Sequence, residues 1–221
     1  MLESRLHSHD ITQPAMIRQQ DLSSVWSILG SSLKGSSQHN SSTNQATFNG
    51  IISVISALLR LRRDLLLTTL PQLNFVLRRL IMTLRRLRPH LGGKQTRLVS
   101  DTLPSWVNPS EPAHVEDSKA IARLLTILTT KTMIRTYGSA SSTEGQKAES
   151  LARPFSKHAS YVLCAYIEAL NDPLCVVRSE VRKELEPGLF ALCEMMGENN
   201  RDAMMVASLM ISVPGTQERC S

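Results

Sequence analysis

Eight arginines and no lysine lie between residues 60 and 88, beside a single acid, Asp64. Arginine carries a planar guanidinium group that stays charged and bonds two phosphate or carboxylate oxygens at once. So dense a group of guanidiniums indicates an anionic partner, although a solvated helix face would give the same charge pattern. The candidate residues for binding RNA or a protein partner are Arg60, Arg62, Arg63, Arg78, Arg79, Arg85, Arg86 and Arg88.

The nature of the anionic partner is left open by this segment. Four arginines on one helix face would neutralise several phosphates of an RNA backbone. Phe75 is the only aromatic residue nearby. We therefore do not expect sequence-specific recognition of single-stranded bases by stacking on aromatic side chains. The pattern fits backbone contact with structured RNA, and it fits docking on an acidic protein equally well.

Groups that could perform catalysis do not converge in the sequence. The six histidines are scattered, and the sequence contains neither an H-E-x-x-H motif nor paired Asp/Glu in a metal-binding motif. Residues 91–94, Leu-Gly-Gly-Lys, lack the second half of a phosphate-binding loop. Cys164 and Cys193 fall on apolar helix faces, which is typical of core residues. We therefore expect no enzymatic activity, no catalytic residue, no metal site and no cofactor.

The composition favours packed helices. Of 221 residues, 42% are hydrophobic but only 4% are aromatic, a mixture that suits helices better than a β-sandwich. The net charge is +6, while residues 51–100 hold ten Lys or Arg against one acid. The positive charge is therefore concentrated in that segment, and the rest of the chain is slightly acidic.

The sequence predicts an intracellular chain without a membrane partner. Charged residues interrupt the first ten positions, so no secretory signal is expected, and no apolar run is long enough to span a bilayer. The four cysteines form no Cys-x-x-Cys pair, so we expect free thiols in a reducing compartment. These are Cys164, Cys175, Cys193 and Cys220.

The helix predicted over residues 71–88 is the clearest element and carries five of the eight candidate arginines. Pro71 suits the first turn of a helix, and Pro89 ends it. Placed at about 100° per residue, its leucines form one stripe and its arginines the opposite one. We therefore expect an aliphatic core face and an exposed guanidinium face, the latter formed by Arg78, Arg79, Arg85 and Arg86.

The remaining apolar periodicity predicts an all-α fold of antiparallel helices, bundle-like or the terminal part of an armadillo/HEAT-like α-solenoid. Residues 1–47 are predicted as an extension with one short helix and a Ser/Asn-rich flexible loop, 48–211 as the helical domain, and 212–221 as a frayed tail. Polar loops are expected over 31–44 and 137–150, and a linker over 89–112. The other helices are predicted over 20–29, 48–63, 116–136, 154–171, 174–185, 187–196 and 200–211.

The order of these motifs resembles the C-terminal domain of a nucleolar pre-rRNA-processing family named unhealthy ribosome biogenesis protein two. The likeness covers roughly residues 48–210, and its most specific piece is Leu185-Glu186-Pro187-Gly188-Leu189-Phe190. It is also carried by Leu59 to Asp64 with Leu70 to Leu73, by Leu77 to Arg88, by Ala120 to Lys131, by Lys157 to Leu163, and by Val177-Arg178.

The resemblance implies a non-enzymatic scaffold of early large-subunit precursors in the nucleolus. Its partners would be the pre-ribosomal particle, other assembly factors and the pre-rRNA backbone. Members of that family are far longer, and their aromatic and basic C-terminal helix has no counterpart here. The residues alone also fit an α-solenoid adaptor that binds acidic proteins outside the nucleolus.

Overall fold

The computed structural model describes residues 18–35, 44–111, 113–133, 148–198, 201–202 and 204. Within these ranges eight helices are joined by two antiparallel ladders of two-residue strands, β1 with β4 and β2 with β3. The prediction of an all-α fold is confirmed. The elements are α1 Gln19–Ser32, α2 Asn44–Leu61, α3 Arg63–Leu66, α4 Leu70–Met82, β1 Arg86–Leu87, α5 Gly93–Ser100, α6 Val115–Thr129, β2 Thr132–Met133, β3 Ala148–Glu149, α7 Ala152–Asn171, β4 Cys175–Val176 and α8 Ser179–Met195.

One hydrophobic core runs through the helices. Helix α4 packs on α7, α7 on α8, α8 on α6 and α6 on α2, while α1 packs on α4. Leu22 and Trp26 of α1 belong to the same core as the later helices, while a domain boundary at residue 47 stays a prediction. No helix in the described ranges is both long enough and apolar enough to cross a membrane.

The pair α6 and α8 has the most extensive interface, and a glycine lets the two helices approach. A Cβ atom added to Gly188 would lie 2.8 Å from the Cα of Ala122 on α6. Helix α8 also continues through Pro187, so the predicted break between 185 and 187 is wrong. A proline inside a helix costs about 3 kcal/mol. The apolar face of α8 offsets this cost because its residues on both sides of the proline are buried in one core.

Helix α4 confirms the predicted aliphatic stripe but not the predicted length. It ends at Met82, so the prediction of one helix to residue 88 is wrong. Beyond it the chain becomes extended, because the Leu87 N–H donates to the Pro109 carbonyl and the Arg88 N–H to the Leu174 carbonyl, each at 3.0 Å. These acceptors lie more than 20 residues away in sequence, so local periodicity carries no sign of them.

Several other boundaries differ from the predictions. Helix α6 ends at Thr129 rather than at 136, and the segment predicted as a linker contains α5. The helix expected from 174 begins only at Ser179, because an Asp172 side-chain oxygen accepts the Leu174 N–H at 2.9 Å and β4 follows. The loop residues 36–43 and 137–147, most of the helix expected over 200–211, and the tail 212–221 lie outside the described residues.

Candidate anion-binding site

Arg63 braces the end of another helix instead of facing solvent. Its side chain is buried and donates to three carbonyls, those of Leu59 at 2.7 Å, Thr130 at 2.6 Å and Ile127 at 3.1 Å. The last two belong to the C-terminal end of α6, which has no basic residue in its last turn. A helix C-terminus carries partial negative charge and unpaired carbonyls, so the guanidinium supplies what α6 lacks. Burial lowers the pKa of Arg63.

Arg79 performs the same task for α1. Its Nη2 donates to the carbonyl of Leu33, the residue that follows α1, at 2.9 Å, and its Nε donates to the same oxygen at 3.1 Å. A further bond of 3.2 Å reaches the Thr102 carbonyl. Helix α1 likewise has no basic residue in its last turn. Burial, and then the nearby charge of Arg85, lower the pKa of Arg79.

Arg85 forms a mostly buried ion pair at the end of α7. Its Nη1 lies 2.7 Å from an oxygen of Asp172, and the two side chains are only 10% and 18% exposed. Asp172 is the residue that follows α7, whose last turn is again without a basic side chain. Arg85 also donates to the Thr102 hydroxyl at 3.1 Å, so it connects the end of α7 with the segment after α5.

The expected exposed face of four arginines on one helix is therefore wrong. Arg85 and Arg86 lie beyond the end of α4, and Arg79 points toward α1. Arg78 is partly buried, and its Nε is buried without a hydrogen-bond partner in the described part of the chain. Arg62 pairs with Asp64 at 3.0 Å, and Arg60 is exposed on α2. Whether any of the eight arginines binds a partner stays a prediction.

A cavity of about 510 Å³ is lined by two arginines of the arginine-rich segment and by a third from the start of α8. It lies between the β1–β4 ladder, the turn at residues 89–91 and the segment that enters α8. We call it the basic cavity and define it by the charged and titratable residues that line it. These are Arg86, Arg88, His90, Arg178 and one carboxylate, Glu111.

The three arginines of the basic cavity have no ion-pair partner among the described residues. Arg88 is anchored by a bond of 2.9 Å from its Nε to the Cys175 carbonyl. Arg178 is exposed and precedes the first turn of α8. Glu111 accepts a bond of 2.8 Å from the Asn108 amide. The cavity is therefore lined by three guanidiniums that form no ion pair within the described ranges, and by one carboxylate.

Arg86 forms the inner wall of the basic cavity. Its Nη1 donates to the carbonyls of Thr83 and Arg85, and its Nε is buried without an acceptor in the described ranges. Burial lowers its pKa to about 10, Arg178 acts in the same direction, and the carboxylates of Asp117 and Glu111 oppose the shift. Arg86 therefore stays protonated at neutral pH in a site where another positive charge is close.

The sequence reasoning did not select three of the residues that define the cavity, His90, Glu111 and Arg178. His90 has a φ of 70°, a left-handed conformation that is uncommon for a residue other than glycine. Arg178 fell within a predicted helix and reaches the cavity because β4 pairs with β1. The signal that could have found it is the pairing of two distant segments, which one sequence does not display.

The described cysteines are free thiols, and the residues given by the structure include no cluster of His, Cys, Asp or Glu able to hold a metal ion. Cys175 is the least exposed of them. Burial, followed by a hydrogen bond with Asp172, raises the pKa of its thiol to about 12.

Cys175 is therefore expected to resist alkylation in the folded protein. Only the thiolate reacts, and a pKa raised from 9.0 to about 12 lowers the thiolate fraction at pH 8 about a thousandfold. Mass spectrometry after treatment with iodoacetamide should find Cys175 unmodified until denaturant is added. The partly buried Cys164 and Cys193 serve as internal controls. Modification of Cys175 at the rate of these two would contradict its burial.

A model of the Urb2/Npa2 family matches residues 2–214 of the chain. The match covers nearly all of the sequence and extends over residues 2–47, where the motifs had shown no likeness. No curated protein and no solved structure matches the chain. The resemblance drawn from the motif order is thus confirmed, and the chain belongs to the Urb2/Npa2 family of ribosome biogenesis proteins.

Proposed function

We propose that this chain is a non-catalytic helical scaffold of large-subunit precursors in the nucleolus, and that it binds RNA or acidic assembly factors through the basic cavity. The observation that supports this most is a set of three arginines around one cavity, none of which forms an ion pair within the described residues: Arg86, Arg88 and Arg178. Family membership supplies the setting, because ribosome precursors consist of RNA and its assembly factors.

The internal arginines support the scaffold part of the proposal. Arg63, Arg79 and Arg85 each tie the end of one helix to a distant segment, so the helices are held in fixed positions. A body held in this way can present a binding surface with little ordering cost on association. The alternative, an adaptor for acidic proteins outside the nucleolus, uses the same cavity and differs in where the chain resides.

Charge reversal in the cell tests the proposal. Arg88→Glu with Arg178→Glu removes two exposed cations and adds two anions, while Arg123→Glu with Arg153→Glu makes the same change on exposed positions of α6 and α7. We expect the first variant to lose association with large-subunit precursors about tenfold, because two phosphate or carboxylate contacts disappear. The control variant should keep it. The measurement is co-sedimentation of the tagged chain.

Two results would contradict the proposal. Unchanged co-sedimentation of the Arg88→Glu/Arg178→Glu chain would remove the role of the basic cavity. A tagged chain that stays outside the nucleolus, and that is captured there by acidic proteins, would favour the adaptor.

A further inference from the structure

Two arginines of the basic cavity, Arg88 and Arg178, differ from the other arginines that are held by acceptors, including Arg86. Arg63, Arg79 and Arg85 donate to carbonyls or to a carboxylate. In contrast, both terminal nitrogens of Arg88 are without an acceptor in the described part of the chain. Arg178 makes no ion pair within that part either. Like charges gathered around one cavity repel one another, and a bound anion would relieve that repulsion.

The arrangement of the arginines matches a repeated anion. Arg88 is exposed just after β1, while the half-buried Arg86, held by the Thr83 and Arg85 carbonyls, adds positive charge to the cavity wall. Arg178 approaches from the start of α8. A nucleic acid strand presents a negative charge at each nucleotide, with two free oxygens that fit the fork of a guanidinium.

Size and His90 favour RNA over an acidic peptide. A cavity of about 510 Å³ is within the range that encloses small-molecule ligands, and one carboxylate side chain would leave most of it empty. His90 is held in the uncommon left-handed region beside the cavity, and such residues are concentrated at binding sites. An imidazole ring can stack on an unpaired RNA base, and an acidic peptide offers no base to stack on.

We propose that the basic cavity binds an unpaired segment of RNA, with phosphates on the exposed Arg88 and Arg178 and one base stacked on His90. This assignment rests on the proposed function and names the partner of the same site. Stacking on a single imidazole does not distinguish one base from another. The site would therefore contact the RNA phosphate backbone and one base of any identity.

Binding of the purified 221-residue chain to a fluorescent 12-nucleotide oligouridine tests the assignment. Arg88→Glu/Arg178→Glu should weaken affinity at least about tenfold and lower the log–log salt slope by about 1.4, because two phosphate contacts are lost. Arg123→Glu/Arg153→Glu should change the affinity less than about threefold, since exposed distant charges are screened by salt. Arg178→Glu alone, at a residue with no ion pair in the described structure, covers the case in which the double variant misfolds.

His90→Ala separates stacking from charge. It should weaken binding of the oligouridine about tenfold and leave an abasic oligonucleotide of equal length unaffected. Equal affinity of all variants for RNA would overturn the assignment. If the Arg88→Glu/Arg178→Glu chain bound RNA normally but lost a polyglutamate peptide and the precursor particles, the site would dock protein. In that case the RNA assignment would fall and the proposed function would stand.

Discussion

Replacing Asp172 by asparagine is expected to lower the free energy of unfolding by about 3 kcal/mol, because Arg85 would remain in a mostly buried site without its counter-charge. Asparagine keeps an oxygen for the Leu174 N–H, so the variant removes mainly the charge. Urea denaturation followed by circular dichroism measures the change.

A second substitution shows whether the lost charge is the cause. Arg85→Met combined with Asp172→Asn removes both charges and should recover most of the loss, since a buried ion pair replaced by neutral groups is often tolerated. The surface pair Arg62–Asp64 is the matched control, and Asp64→Ala should cost less than about 1 kcal/mol. Equal decreases in the free energy of unfolding for Asp172→Asn and Asp64→Ala would show that burial of the Arg85–Asp172 pair does not affect stability.

Replacing Gly188 by valine is expected to lower the free energy of unfolding by about 3 kcal/mol, because the added atoms would overlap the backbone of α6. Even the Cβ of alanine would lie 3.0 Å from the Ala122 carbonyl oxygen and 3.0 Å from a methyl group of Leu125. The contact involves main chain on the closest helix pair, so a side-chain rotation cannot relieve it. Gly188→Ala should cost about 1–2 kcal/mol in net terms, after its gain in helix propensity.

Gly50 is the control for helix propensity. It lies within α2, and a Cβ there would have no heavy atom within 4 Å. Gly50→Ala should therefore stabilise the protein by about 0.5–1 kcal/mol, the opposite sign from Gly188→Ala. Thermal denaturation of both variants compares them directly. Stabilisation by both alanines would mean that α6 and α8 are not packed as closely as described.

Local signals in the sequence predicted the helical fold and its apolar faces well. Asn171-Asp172-Pro173 predicted the end of α7 correctly, because proline cannot continue a helix. The end of α4 at Met82 had no such signal, since neither glycine nor proline stands between residues 82 and 88. Helix α4 ends there because β1 pairs with the distant strand β4. At Pro187 the local signal was overruled, because burial of α8 against α6 outweighs the proline cost.

The sequence predicted the positive charge of the candidate site but not its position in the fold. The sequence showed that eight arginines cluster, and it could not show which of them fold inward. One signal was present, because α1, α6 and α7 all lack a basic residue in the last turn. The C-terminal ends of such helices are stabilised by a cation from elsewhere in the chain. Which arginine serves which helix depends on tertiary contacts, and so does the position of Arg178 near Arg86.

The long-range contacts of Arg63 and Arg85 affect how the chain can fold during translation. Arg63 finds its acceptors at residues 127 and 130, and Arg85 finds its counter-charge at residue 172. While the nascent chain is emerging from a translating ribosome, both guanidiniums must stay hydrated until those later residues have left the exit tunnel. The first half of the protein therefore cannot reach its final arrangement until α7 and Asp172 have emerged.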